Sequence, residues 1–191
     1  TRRVVTLRPP EEGQVGFQFD IDELRAAITP KTKVLLLNTP HNPTGKVFSL
    51  TELMQIAELA LDHDLLVISD EVYEHLTFDG AAHIPIATLP GMADRTITIS
   101  SGGKTFSFTG WKVGWACARP ALIDAIRSVK QFLTFVNAAP FQPAIAVGLR
   151  LSDDYFTNFA ATLQGKRDRL NEGLVEAGFQ IYSPRGTYFT T

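Results

Sequence analysis

The sequence predicts an α/β fold with a largely parallel sheet flanked by helices, and three observations carry that prediction. Short apolar runs, Val34-Leu35-Leu36-Leu37 and Leu65-Leu66-Val67-Ile68, alternate with segments of helical spacing. Those runs are continuous rather than alternating, as in strands covered on both faces. Polar residues able to carry chemistry, Asn42, Asp70 and Ser101, stand just past the ends of predicted strands. In open α/β sheets that is where ligands bind, so residues far apart in sequence can meet in one crevice.

Taken in chain order, Arg3-Val4-Val5-Thr6-Leu7 reads as a strand. Asp20-Ile21-Asp22-Glu23 opens a short helix, with an acidic cap and a glutamate three residues on. After the strand at 34–37, Ser49-Leu50-Thr51-Glu52 is a capping box, and Leu53, Ile56, Ala57, Ala60 and Leu61 mark one helical face. The strand at 65–68 runs into Asp70. Residues 95–100 follow, with Ile97 and Ile99 alternating against threonines, and 114–118 form a further strand. From Pro120, which suits a first helical turn, Ile123, Ile126, Val129, Lys130 and Leu133 keep helical spacing. Asn137-Ala138-Ala139-Pro140 breaks the pattern. A second helix runs to about 151 and a longer one from 153 to about 177, stopped by Gly178. Residues 179–182 and 187–190 read as strands of something new. The expected organisation is therefore a large domain over 1–170 and the start of a small α+β domain over 171–191, both partial. The chain opens in a predicted strand without Met and stops abruptly, as an interior piece truncated at both ends would.

Composition narrows the function. Hydrophobic residues make up 45% and charged residues 20% of 191, ordinary for a globular protein. A net charge of −2 offers no basic excess for nucleic acid, and Lys166-Arg167-Asp168-Arg169 reads as a solvated helix face. No apolar run approaches the roughly 18 residues of a membrane span. Cys117 is the single cysteine, which fits a reducing, cytoplasmic setting, and no secretory signal is evident.

Three motifs carry the chemistry. They are Pro40-His41-Asn42-Pro43-Thr44-Gly45-Lys46, Ser69-Asp70-Glu71-Val72-Tyr73, and Ser100-Ser101-Gly102-Gly103-Lys104-Thr105-Phe106 continuing through Gly110-Trp111-Lys112-Val113-Gly114-Trp115. In that order and spacing they resemble the class I/II aminotransferases, fold type I pyridoxal-phosphate enzymes, over essentially the whole chain. The resemblance implies a domain like the large domain of aspartate aminotransferase and a homodimer acting on an amino acid and a 2-oxo acid. It implies that Lys104 forms the Schiff base with pyridoxal 5'-phosphate and that Asp70 pairs with the pyridine nitrogen. Asn42 and Tyr73 would reach the ring hydroxyl, Ser101 and Lys112 would hold the phosphate, and Val72 would press on one ring face. Lys112 stands where the family carries Arg or Lys, a point charge in place of a fork.

Each role has a physical reason. Removing an amino acid's α-proton leaves a carbanion, and the cofactor is the electron sink that delocalises it. A carboxylate at Asp70 keeps the pyridine nitrogen protonated and deepens that sink. Such charged hydrogen bonds contribute about 1.5–3 kcal/mol. Once substrate displaces it, the Lys104 amine is placed to move the proton from Cα. Gly102 and Gly103 leave room for close backbone approach.

The bland readings are weaker. Most lysines are solvated, but a surface lysine needs no Gly-Gly approach from a buried strand. Asp70 could simply cap the turn at Glu71. The four histidines show no metal-ligand spacing, and Trp111 and Trp115 suit a core. Gly103-Lys104-Thr105 suggests a phosphate-binding loop, but the required earlier glycine is Thr98. Ser101-Gly102-Gly103-Lys104 matches Ser-x-x-Lys of acyl-serine hydrolases, yet their Ser-Asp-Asn and Lys-Thr-Gly partners are missing.

Family members are about twice this long. The resemblance puts a phosphate loop, a ring-stacking aromatic and a residue given across the dimer upstream, and a carboxylate-binding arginine downstream. It also implies a strand that would pair with the edge at 34–38. Tyr73 favours transamination over carbon–sulfur β-elimination, since the related lyases tend to carry histidine there. The stretch Gly110-Trp111-Lys112-Val113-Gly114-Trp115 resembles kynurenine/glutamine-type aminotransferases and is also similar to succinyldiaminopimelate aminotransferases, which the run to Ala139-Pro140-Phe141-Gln142-Pro143 fits well. The alternatives are a carbon–sulfur β-lyase on the same scaffold and a non-catalytic cofactor-domain segment of a larger enzyme.

Overall fold

A computed structural model describes residues 1–12 and 14–191. One four-stranded sheet organises them, in the order β1 (Val34–Asn38), β2 (Leu66–Asp70), β3 (Thr96–Ser101), β4 (Gly114–Cys117). The first three strands are parallel, and β4 returns antiparallel to β3. Asn38 lies opposite Asp70, and Asp70 opposite Ile99, so the carboxyl ends of the parallel strands align.

Helix α1 (Ile21–Ala27) is capped by Asp20, whose side chain accepts from the amides of Asp22 and Glu23. Glu23 does not close a reciprocal box, because its carboxylate accepts from the Thr6 amide at 3.0 Å. The stretch 3–7 is accordingly not a strand. With no strand beside it, its backbone turns to Glu23, and Arg8 forms only a single bridge with Gln18.

Helix α2 (Leu50–Asp62) starts on the expected capping box between Ser49 and Glu52, and Lys46 ion-pairs with Glu52 at 2.7 Å. Its face of Leu53, Ile56, Ala57 and Ala60 packs with Leu37, Phe48, Leu65, Val67, Ile86 and Met92 into the main core. Leu61 falls at the margin of that face and stays exposed. Burying a Leu or Ile side chain contributes about 1.5–3 kcal/mol, so this face anchors the sheet. Only one side of β1 is covered, however. Leu36 is 74% exposed, against the expectation of two buried faces, because α2 covers the side of Leu37 and no element among the described residues covers the other.

Past β3 come the short α3 (Gly102–Thr105), then β4, α4 (Pro120–Leu133), α5 (Gln142–Gly148) and the long α6 (Asp153–Glu176). The spacing predicted for α4 is helical as expected, but the helix buries no residue, and Phe132 stands 83% exposed. Helix α6 runs unbroken through residue 170 and ends before Gly178, whose φ of +88° suits a glycine stop. The strands expected at 179–182 and 187–190 do not form. Without neighbouring strands, this segment makes one bridge, Gly186 to Thr77, and gives its amides to loops. No helix of the described residues is long and apolar enough to cross a membrane.

Candidate active site

The crevice expected of an open α/β sheet belongs at the carboxyl ends of β1, β2 and β3, where the candidate residues gather. Asn38, the last residue of β1, organises its rim. Its side-chain Nδ2 donates to the Asp70 carbonyl at 3.0 Å, and its side-chain oxygen accepts from the Asn42 backbone amide at 2.8 Å. The loop carrying Asn42 is thereby tied to the end of β2. The peptide bonds before Pro40 and Pro43 are both cis. From this loop the Asn42 side chain donates to the Tyr73 hydroxyl at 3.5 Å.

Strand alternation sends consecutive carboxylates opposite ways. Asp70 is half-buried and takes only a long 3.4 Å bond from the Val72 amide, so capping engages it weakly. Glu71 turns inward, fully buried, where Ser69 Oγ donates to it at 2.7 Å and His83 Nε2 lies 2.8 Å away. Val72 is half-buried and Tyr73 is 2% exposed.

Lys104 rises from α3 beside this group. Its Nζ lies 6.0 Å from the centre of the Tyr73 ring and 5.7 Å from that of Tyr188. Among the described residues it has no ion-pair partner within 4.0 Å. Gly102 and Gly103 serve close packing: a Cβ on Gly102 would come within 2.4 Å of Ile145, and one on Gly103 within 2.9 Å of Thr109. Glycine there seats α3 against the protein interior instead of opening the crevice.

Ser101 precedes α3 and its side chain caps nothing. The backbone brings Lys112 near it, since the Gly102 amide donates to the Val113 carbonyl at 3.1 Å and Ser101 pairs with Gly114. Lys112 itself adopts a left-handed φ of +52° and is exposed. Trp111 and Trp115 pack on the cluster of Phe106, Val113 and Ile145, as core residues do.

Tyr73 has its phenol pushed well above the ordinary value. Burial is the main cause, the adjacent Tyr188 hydroxyl and its charge add to it, then Asp70, and only Asn42 opposes. Tyr188 and Phe189, whose rings meet Tyr73 at 5.4 and 6.2 Å, are site residues that sequence reasoning missed. Their only signal was an aromatic pair after Gly186-Thr187, and the strand reading of 187–190 hid it.

With this geometry in view, comparison with known proteins is decisive. A family model, aminotransferase class I and II, matches residues 2–191. The chain belongs to the class I and II aminotransferases. A probable N-succinyldiaminopimelate aminotransferase of Mycobacterium tuberculosis is 53% identical over 174 residues, covering 91% of this chain and 44% of that protein. The solved structure of the N-succinyldiaminopimelate aminotransferase from that organism superposes with a TM-score of 0.91 at 52% identity, over 95% of this chain and 47% of the other. A kynurenine–oxoglutarate transaminase of Dictyostelium discoideum is 46% identical, covering 98% of this chain and 46% of its own length. The chain thus spans less than half the length of these relatives.

Class I aminotransferases depend on pyridoxal phosphate, and the donor set here fits that group. An amine without an ion pair among the described residues, a carboxylate little used by its own backbone, and an amide bonded to a phenol gather around Tyr73 in this aminotransferase chain. Bound there, the cofactor would supply the electron sink for chemistry at an amino acid's Cα.

Proposed function

We propose that this chain provides the cofactor-binding half of an aminotransferase that moves an amino group between an amino acid and a 2-oxo acid. The observation that carries this reading is the meeting of Lys104, Tyr73 and Asn42 with Asp70 at aligned strand ends. Lys104 holds the cofactor aldehyde and shuttles the α-proton. Asp70 faces the ring nitrogen, Asn42 and Tyr73 the ring hydroxyl, and Ser101 and Lys112 the phosphate. Val72 packs on one ring face. Residues 1–170 belong to the large domain and 171–191 begin the small one.

We assign N-succinyldiaminopimelate as the amino donor, supported by the 53% identity to the mycobacterial relative against 46% to the kynurenine transaminase. A homodimer in the cytoplasm completes the reading. The single free cysteine, Cys117, accords with a reducing compartment, and the exposed Phe132, Leu133 and Phe135 form a surface that a second copy would cover.

Borohydride reduction of the full-length protein incubated with pyridoxal phosphate, followed by peptide mapping, tests the core of the proposal. The label is expected on Lys104, and a label elsewhere overturns the assignment. A panel of amino donors then tests the substrate, and equal rates on kynurenine and N-succinyldiaminopimelate would remove the claim of specificity.

A further inference from the structure

The charged run at 166–169 is not a plain solvated face. Arg167 is buried, its side chain 8% exposed, and all of its donors are used. One terminal nitrogen donates to Asp79 at 2.6 Å and to the Pro184 carbonyl at 2.8 Å. The other donates to Asp79 at 2.9 Å and to Asp168 at 2.5 Å, and Nε donates to Asp168 at 2.8 Å. The guanidinium also lies 5.0 Å over the Phe78 ring. A planar fork so completely satisfied fixes position in a way a lysine cannot.

What it fixes leads to the crevice. From Pro184 the chain passes between the loop at 40–47 and the turn at 76–79. The Arg185 amide donates to the Gly45 carbonyl at 3.1 Å, the Phe78 amide to Arg185 at 2.8 Å, and the Thr187 amide to Leu76 at 2.9 Å. The passage leaves no slack. Gly45, at φ +65°, has Pro184 Cβ only 2.1 Å from where its own Cβ would stand, and a Cβ on Gly186 would meet Pro40 at 2.8 Å. Thr187 then turns the chain at φ +68°, a strained setting for a β-branched residue that its surroundings must enforce. Immediately after it come Tyr188 and Phe189, against Tyr73 and Lys104.

We propose that Arg167 is a positioning residue: through Asp79 and Pro184 it sets where Tyr188 stands over Tyr73 and Lys104. The inference rests on the aminotransferase reading for its catalytic consequence. The Tyr188 ring meets the Tyr73 ring edge-on at 5.4 Å, so its placement governs how Tyr73 is presented to the ring hydroxyl of a bound cofactor. A long helix outside the crevice thus acts on the site through one guanidinium and five residues of backbone.

The test uses the full-length protein and the variants Arg167→Lys, Asp79→Asn and Tyr188→Phe. In cofactor-free protein, tetranitromethane nitration mapped by mass spectrometry reads the cover over Tyr73, with Tyr155 as the control. Wild type is expected to protect Tyr73, and Arg167→Lys and Asp79→Asn to raise its nitration several-fold while Tyr155 is unchanged. In the cofactor-loaded protein, both should move the pH midpoint of the cofactor's visible band in the direction that Tyr188→Phe moves it. Arg167→Lys added to Tyr188→Phe should contribute little more, because the two act in series. Unchanged Tyr73 protection in a variant that still folds cooperatively overturns the proposal, and so does full additivity of the midpoint shifts. If Arg167→Lys does not fold, Asp79→Asn decides, since it keeps the arginine and its bonds to Pro184 and Asp168. Wild type that traps no cofactor on Lys104 would overturn the aminotransferase reading, whereas the nitration result still judges the clamp.

Discussion

Lys104 sits in an unusual setting for an amine: half-buried, beside two aromatic rings, with no carboxylate at ion-pair distance among the described residues. Its replacement is therefore expected to remove chemistry and little else. Lys104→Ala should lower kcat by at least about 10²–10⁴-fold, the range ascribed to a positioned general acid–base group. Cofactor should still bind without covalent attachment, and equilibrium dialysis beside rate measurements would show both. Normal turnover in that variant would disprove its role. Asp70→Asn exchanges a charged hydrogen bond for a neutral one. With about 1.5–3 kcal/mol at stake, the proton-transfer step should slow by about tenfold to a hundredfold. Because Val72 donates to Asp70 at only 3.4 Å, the melting temperature should barely move. The reverse pattern, unaltered kinetics with a lower melting temperature, would mean that Asp70 is only a cap. Tyr73→Phe removes the acceptor of the Asn42 bond and should shift the pH midpoint of the cofactor's visible band. A stationary midpoint would take Tyr73 away from the ring hydroxyl.

At the level of elements, α2 and the Arg167 clamp differ in kind. Leu53 is completely buried on α2 in the main core, so Leu53→Ala should destabilise by about 2–5 kcal/mol, read by denaturant unfolding. The clamp is electrostatic and partly wet. Hydrogen bonds from Arg167 hold the Asp79 carboxyl below its ordinary value of 3.8, with burial opposing and the charges of Arg167 and Arg185 assisting. A carboxyl depressed in the folded state stabilises above its unfolded pKa and loses that contribution as pH falls through the folded value. The melting difference between wild type and Asp79→Asn should thus be constant above about pH 4 and shrink below it. Because Asp79 is 45% exposed, the difference should also weaken with salt. A difference that persists undiminished in acid would show that the carboxylate charge is not what holds the clamp. These two elements also mark what was legible in the sequence. The capping box of Ser49 and Glu52 and the periodic face of α2 act locally, so the pattern alone predicts them. Asn42 and Asp70 could be placed together because both follow predicted strand ends, whereas Tyr73 and Lys104 were singled out through the family resemblance. Asn38, Tyr188 and the burial of Arg167 depend on partners up to 88 residues away, and no local spacing encodes them. The same reason undid the strands at 3–7 and 187–190, since strand propensity needs a neighbour to pair with.

Across the whole molecule, the buried and exposed surfaces divide in an informative way. One side of the sheet is sealed by α2, while Leu36 on the other side of β1, and Phe132 and Leu133 on α4, face outward. These exposed apolar side chains belong to a chain that spans less than half the length of its relatives. The residues proposed above to hold the cofactor aldehyde and ring, Asn42, Asp70, Tyr73 and Lys104, all lie in this half. Cofactor binding and turnover should therefore separate in the 191-residue polypeptide. Titrated with pyridoxal phosphate, it is expected to develop a visible band that borohydride fixes on Lys104. It should nevertheless leave an amino acid and a 2-oxo acid unchanged, because no residue placed here grips the substrate's carboxylate. Light scattering should show self-association through the α4 face, reduced by Phe132→Ser. Measurable turnover by residues 1–191 alone would show that substrate binding needs nothing beyond this half.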